Sequence, residues 1–202
     1  MRKFMSLALA LCLVLSMSAF ASADEITTAD GSGTTPVYLS STSNGKPDGE
    51  PAATAMSVTI PTGLPMHMAQ DGTVTTASNM AIVNNSYGAV RVKSASITAG
   101  NHWHLTAFGD KSSLANEKVD SNKLGFYMTI GGGDALSTDS TNASTQTLLA
   151  SPIEGCRMSG SGDPSSNSVA VLYNAIVTPL STPVTKANVA NIVFVIEWDT
   201  AA

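Results

Sequence analysis

Two histidines separated by a single residue are the most chemically suggestive group in this sequence. His102 and His104 flank Trp103, and alternation along a β-strand would place both imidazoles on one face, with Trp103 and Leu105 on the other. Two imidazoles at this spacing can chelate Zn²⁺ or Cu²⁺, and His67 is a candidate third ligand. Because no acidic residue or cysteine stands close by to complete a ligand set, we expect solvent-facing histidines and predict no cofactor.

Residue types that support hydrolysis are present without the spacing that hydrolysis needs. Neither G-x-S-x-G nor H-E-x-x-H occurs, although these motifs position the nucleophile or the metal in many hydrolases. Two carboxylate pairs, Glu117 with Asp120 and Asp134 with Asp139, could in principle serve glycoside hydrolysis, which needs two opposed carboxyl groups. All four lie in polar, loop-like runs, where we expect solvated acids. The sequence therefore predicts a protein that is not an enzyme.

The charge balance argues against a nucleic-acid partner. The chain has 15 acidic and 10 basic residues, a formal net charge of -5. Nucleic-acid binding requires clustered Lys and Arg to neutralise phosphates, and the sequence has no such cluster.

The first 23 residues have the pattern of a secretory signal peptide. Arg2 and Lys3 precede the apolar run Phe4–Met17, and Ala21-Ser22-Ala23 supplies an A-x-A cleavage site. No later apolar run approaches the roughly 20 residues that span a bilayer. We therefore predict secretion, and no membrane span in the mature chain.

Cysteine usage fits this interpretation. Cys12 lies inside the predicted signal peptide, which leaves Cys156 alone in the mature chain. We expect Cys156 to be a small buried hydrophobic residue. An intermolecular disulfide and a reactive thiol are the alternatives.

The remaining chain divides into two predicted regions. Residues 24–54 are rich in Ser, Thr, Gly, Pro and Asp, and indicate a flexible arm with one possible strand at Pro36–Ser40. Residues 55–202 show repeated alternation between polar and apolar side chains, separated by turn residues. This pattern predicts an all-β, antiparallel sandwich, Ig-like or jelly-roll-like, with about ten short strands.

Three local signals sharpen the strand assignment. Met56, Val58 and Ile60 alternate with polar residues and predict a half-buried strand. The Asp-Gly step at Gln70–Gly72 predicts a hairpin. In Ala89–Thr98 the apolar positions change phase between Val92 and Ile97, which predicts a β-bulge.

A short helix is expected at Ser113–Val119, capped by Ser112 or Ser113.

The tripeptide Trp103-His104-Leu105 and a second strand ending in Trp198-Asp199-Thr200 resemble the paired Trp-x-Leu motifs of WxL domains, which are β-rich surface modules of Gram-positive (Firmicutes) bacteria. The second motif departs from the family pattern because Thr200 replaces the leucine. The resemblance implies non-covalent attachment to the cell wall, through peptidoglycan, or to other surface proteins. Its matching residues, Trp103, Leu105 and Trp198, become candidate wall-binding or partner-binding residues.

The strand Met56–Pro61 and the segment Ile82–Val92 also resemble the secreted sandwiches of the TasA and camelysin group. That resemblance implies a different function, a subunit of an extracellular fibre of the TasA or pilin type. The Pro36–Ser40 segment of one copy would then add as a strand to the sheet of a neighbour. Both resemblances lead us to expect an extracellular protein that is associated with the cell wall and is capable of self-association.

Overall fold

The computed structural model describes residues 55–200. The predicted signal peptide (1–23), the arm (24–54) and its strand at Pro36–Ser40 lie outside the described residues. Residues 55–200 contain one short helix, α1 (Ser112–Ala115), and twelve strands: β1 (Val58–Thr59), β2 (Met66–Met68), β3 (Val74–Thr76), β4 (Ala81–Asn84), β5 (Val90–Ala99), β6 (His104–Thr106), β7 (Lys123–Ile130), β8 (Leu136–Ser137), β9 (Thr145–Leu149), β10 (Arg157–Met158), β11 (Ser168–Val177) and β12 (Ala190–Trp198).

The larger sheet has the strand order β1-β4-β11-β7-β6, and β8 also pairs with β7. Strand β11 lies at its centre, and its burial alternates from Ser168 to Ala175. Val169, Val171, Tyr173 and Ala175 point into the core, and the residues between them are exposed. Such alternation is typical of a strand with one buried and one solvated face.

The second sheet is built around β5. Strand β12 pairs with one side of β5, and β9 and β10 pair with the other side. The predicted bulge is confirmed: Val195 is opposite Ser94 and Ile196 is opposite Val92, so Lys93 is the extra residue. The extra residue shifts the inward positions from Val90 and Val92 to Ala95 and Ile97.

The two sheets share one hydrophobic core, as expected for a sandwich-like all-β architecture. Ile82 and Val171 come from the larger sheet, and Val92 and Ile97 from the smaller one; all four are fully buried. The predicted hairpin is also present, with β2 and β3 paired antiparallel around Gly72, whose φ is +80°.

Several local expectations are corrected. Strand β6 runs parallel to β7, so the pairing is not antiparallel throughout. Glycine permits this close approach, because a Cβ on Gly125 would lie 2.7 Å from the carbonyl oxygen of Ala107. The predicted strand at Met56–Ile60 shrinks to β1, with Met56 and Ile60 exposed.

The predicted helix is shorter than expected and is capped differently. Helix α1 has four residues, and Lys111 occupies its N-cap position without a side-chain hydrogen bond. The Ser113 hydroxyl instead donates to the Asp110 carbonyl at 2.7 Å. Among residues 55–200, no helix has the length and apolar character needed to cross a membrane.

Candidate functional site

The Trp-x-Leu segment lies at the outer edge of the larger sheet. Leu105, in β6, is 1% exposed and belongs to the core. Trp103 precedes the strand, is half-buried and packs against the same core. Both side chains therefore contribute packing, and Trp103 keeps part of its ring accessible.

Trp198, at the end of β12, is also half-buried against the core. Its ring lies so close to Gly88 that a Cβ there would be 3.1 Å from the Trp198 Cζ3 atom. The ring thus closes one end of the smaller sheet over the loop that joins β4 to β5. The three candidate binding residues are distributed over two sheets, with Leu105 and Trp103 beside β7 and Trp198 beside β5.

The histidines do not share a strand as the spacing predicts. His104 begins β6 and is exposed, whereas His102 lies in the preceding turn with a left-handed φ of +65°. The side chains nevertheless face the expected environments, because both histidines are exposed and Leu105 is buried. Within residues 55–200, no three His, Cys, Asp or Glu side chains are grouped as metal ligands would be.

Cys156 is fully buried in the core, as expected. Burial raises the pKa of its thiol, and a backbone hydrogen bond involving Ile153 offsets part of this effect. Since the thiolate is the nucleophile and the metal ligand, the raised pKa and the burial keep this cysteine unreactive.

Three of the acidic candidates, Glu117, Asp120 and Asp139, contact neighbouring groups of the fold. Glu117 accepts a hydrogen bond from the Lys123 ammonium at 2.8 Å. The Ser181 hydroxyl and backbone N–H donate to Asp120 and lower its pKa, and Thr141 does the same for Asp139. These carboxylates stabilise loops, whereas a general acid requires a raised pKa.

One groove on the described surface has a volume of about 530 Å³. Residues Gly72–Val74, Phe108–Lys111 and Asn174–Ile176 line it. The Lys111 ammonium spans its mouth and contacts the Asp71 carboxylate at 3.2 Å and the Thr73 hydroxyl at 3.0 Å. Hydrogen bonds from Thr73, and then from Lys111, lower the pKa of Asp71 to about 2. The Lys111 ammonium and the Asp71 carboxylate beside this groove are thus already paired with one another.

One side of the nine-residue strand β12 is open, because no other strand of residues 55–200 pairs with it there. The Val189 carbonyl accepts from the Gly100 N–H at 2.8 Å, and the Asp199 N–H donates to the Ala89 carbonyl at 3.0 Å. Backbone groups alternate in direction along an antiparallel strand, so odd-numbered residues bond to β5. The even-numbered residues direct their N–H and C=O groups away from β5, where no described strand pairs with them.

The outer face of β12 is apolar near its middle. Val193 is 55% exposed and Val195 is 44% exposed, whereas Ile192, Phe194 and Ile196 pack against the core. A partner strand placed beside β12 would therefore meet regular backbone groups and apolar side chains on both faces.

An ionic network fixes the C-terminal half of β12 to its neighbours. Glu197 contacts Arg91 at 2.8 Å and Lys93 at 3.2 Å. Asp199 contacts Arg157 at 2.6 Å and Arg91 at 3.7 Å. Hydrogen bonds from Arg91 and Lys93 hold the pKa of Glu197 below its usual value. The network therefore links the end of β12 to β5 and, through Arg157, to β10.

The other outer strands are much shorter than β12. Strands β1, β8 and β10 have two residues each, β6 has three and β9 has five, whereas β12 has nine. Short outer strands are one of the means by which β-proteins prevent unwanted pairing. Strand β12 departs from this pattern.

Sequence reasoning identified Trp198 and missed the strand that carries it as a recognition element. The alternation in β12 is visible in the sequence, with Ile192, Phe194 and Ile196 on one face. The available signal was the additional presence of Val193 and Val195 on the other face, which gives both faces of one strand an apolar character.

Comparisons with protein-family models, with curated proteins and with solved structures each give no match. The fold and the open edge of β12 therefore carry the functional argument.

Proposed function

We propose that this chain is a secreted, non-catalytic surface β-domain that associates with other proteins by taking an extended polypeptide strand onto the open edge of β12. The observation that carries this proposal is the contrast among outer strands. The nine-residue β12 is open, and the other outer strands of residues 55–200 have at most five residues.

Strand addition at such an edge combines two sources of affinity. Main-chain hydrogen bonds give binding strength, and the side chains at alternate positions give specificity. On β12 the outward-directed backbone groups of Ile192, Phe194 and Ile196 are spaced two residues apart, as an added strand requires. Val193 and Val195 supply an apolar surface that the added strand would cover.

Attachment to peptidoglycan is the other role that the Trp-x-Leu resemblance implies. The positions of Leu105 in the core and of Trp103 and Trp198 against it favour a packing role for these residues. Wall attachment stays a prediction, and the experiment below tests it together with the edge.

The fibre alternative uses the same edge with a particular donor. Its donor, Pro36–Ser40, belongs to the arm outside the described residues, so the alternative stays a prediction. The acceptor that it requires is available in β12.

The proposal is tested by adding charge to the edge of the secreted chain. The double variant Val193→Lys/Val195→Lys places two lysines on the edge, a substitution that opposes strand pairing. The matched control is Leu172→Lys, because Leu172 is also an exposed apolar strand residue, at 47%, but lies on the central strand β11. Association is measured by sedimentation velocity and by co-sedimentation with cell walls, either intact or stripped of protein.

We expect the double variant to lose association by at least about tenfold and the control to retain it. Equal binding of all three proteins to stripped walls would instead establish wall attachment that does not use the edge. Absence of association in every assay would overturn the proposal.

A further inference from the structure

Resting on the proposed function of the β12 edge, we propose that its occupant is β12 of a second copy, paired antiparallel about a two-fold axis beside Phe194. The two smaller sheets would then join into one continuous sheet. The inference follows from the direction of the backbone groups, the order of side chains along β12 and the position of its one charged residue.

Backbone direction limits the possible registers. In an antiparallel pair, residues that exchange hydrogen bonds lie directly opposite one another, and the outward-directed groups of β12 belong to its even-numbered residues. An axis beside Phe194 places Phe194 opposite Phe194, and Ile192 opposite Ile196 of the second copy. All nine residues of β12 are then paired.

Side chains match in this register. Val193 lies opposite Val195 of the second copy, so the two exposed valines of each copy cover those of the other. At the ends, the small Ala190 is opposite the large Trp198. Opposite residues in an antiparallel pair point to the same face, so apolar side chains meet apolar side chains on both faces along the middle of the strand.

Charge and hydrogen bonding also match. Glu197 is the one ionisable residue in β12, and in this register it lies opposite Asn191 of the second copy. The Asn191 Oδ1 atom accepts from the Asn188 amide at 3.0 Å, which leaves the Asn191 Nδ2 group to donate to the carboxylate. The two Glu197 side chains lie at opposite ends of the pair and do not repel each other.

Competing arrangements satisfy fewer groups. Moving the axis to Val195 leaves end residues unpaired and places the Glu197 carboxylate opposite Val193. An axis at Val193 places Val195 opposite Asn191. The segment Pro36–Ser40 has five residues and would cover about half of the nine-residue edge.

Disulfide trapping tests both the partner and the register. Val193→Cys and Val195→Cys are made in separate copies of the secreted chain, which are mixed and oxidised. Opposite residues at a non-hydrogen-bonded position have Cα atoms about 4.5 Å apart, within disulfide range, whereas diagonal neighbours lie about 7–8 Å apart. Leu172→Cys is the matched control, and wild-type protein controls for the buried Cys156.

We expect the mixture to yield about tenfold more linked dimer than either cysteine variant alone, and the Leu172→Cys chain to yield little. Efficient self-linking of Val193→Cys, or of Val195→Cys, would place the axis elsewhere and overturn the proposed register. Equal linking of all variants would overturn the pairing.

A second variant separates this inference from the proposed function. Tyr38→Pro removes a backbone donor from the middle of the N-terminal segment and leaves β12 intact. We expect the Val193→Cys and Val195→Cys chains to form the mixed disulfide equally well with and without the added Tyr38→Pro substitution. The opposite outcome is that Tyr38→Pro abolishes both the linking of the cysteine chains and the association, and that Val193→Lys/Val195→Lys also abolishes the association. Those results together would mean that the N-terminal segment uses the edge. The proposed function would then stand and this inference would fail.

Discussion

The Trp103–Leu105 segment and strand β12 each contain or adjoin a tryptophan that packs on the core, yet they differ in what they leave accessible. Around β6 the apolar side chains turn inward, and the exposed groups are His102 and His104. Along β12 the strand exposes valine side chains and a full row of backbone groups. The first segment mainly completes a sheet, and the second offers a sheet edge for extension.

This difference shows that a sequence motif and a recognition surface need not coincide. Leu105 is the residue that best fits the Trp-x-Leu pattern, and it is nearly inaccessible. Val193 and Val195 are far more exposed, although their residue types are common in any β-protein. Accessibility, which the motif does not encode, separates the two regions.

The largest expected effect tests the burial side of this comparison. Leu105→Ala removes a core side chain and should lower the free energy of unfolding by about 2–5 kcal/mol. Val193→Ala, on the exposed face of β12, should change it by no more than about 0.5 kcal/mol. Urea denaturation measures both values. A cost for Val193→Ala equal to that for Leu105→Ala would mean that the outer face of β12 is already covered.

A smaller effect concerns the ionic network that holds β12. Because Arg91 and Lys93 lower the pKa of Glu197, the folded state binds this proton less readily than the unfolded state. The stabilisation by Glu197 should therefore be complete above the ordinary glutamate pKa of about 4.3, and should be lost as the pH falls through the lower folded-state value.

The measurement is the difference in unfolding free energy between wild type and Glu197→Gln from neutral to acidic pH. We expect the advantage of the wild type to shrink as the solution becomes acidic. The control is Asp71→Asn, which removes a carboxylate of low pKa far from β12 in sequence. A constant difference for Glu197→Gln would contradict the role of the network in fixing β12.

The smallest expected effects are changes in stability on substituting His102 and His104. They distinguish a turn residue from a metal ligand. His102 has a left-handed backbone with φ of +65°, which costs a non-glycine residue about 1–2 kcal/mol. His102→Gly should therefore leave the stability unchanged or raise it by about 0.5 kcal/mol, after the entropy that glycine adds to the unfolded chain. His104→Gly, within β6, should lower stability by about 0.5–1 kcal/mol.

Thermal unfolding with and without added Zn²⁺ distinguishes the two roles. If His102 is a turn residue, neither histidine variant changes the response to the metal. Stabilisation of the wild type by Zn²⁺ that both variants lose would establish the chelate that the histidine spacing suggests.

Local pattern was sufficient for much of the fold. The apolar positions Val90, Val92 and Ile97 are buried, and the change of phase between Val92 and Ile97 predicted the bulge that the structure has at Lys93. The Asp-Gly step located the β2–β3 hairpin. Strand ends were less predictable. His102 has a left-handed backbone and lies in a turn, so β6 begins only at His104.

The parallel pairing of β6 with β7 was not predictable from local pattern. It depends on the long connection between these strands and on the close approach that Gly125 permits. The sequence at Gly125 gives no sign of which backbone will approach it. Similarly, the half-burial of Trp103 depends on residues far from it in the chain.

By itself, the sequence determined the all-β class, the inward faces of the long strands and the burial of Cys156, because these features follow from side-chain polarity along short segments. The tertiary structure decided which strands are neighbours and which strand ends the smaller sheet. Every residue except proline carries the same backbone donor and acceptor, so side-chain types do not record whether a strand is paired on one side or on both. The open edge of β12 is therefore a property of the assembled sheet.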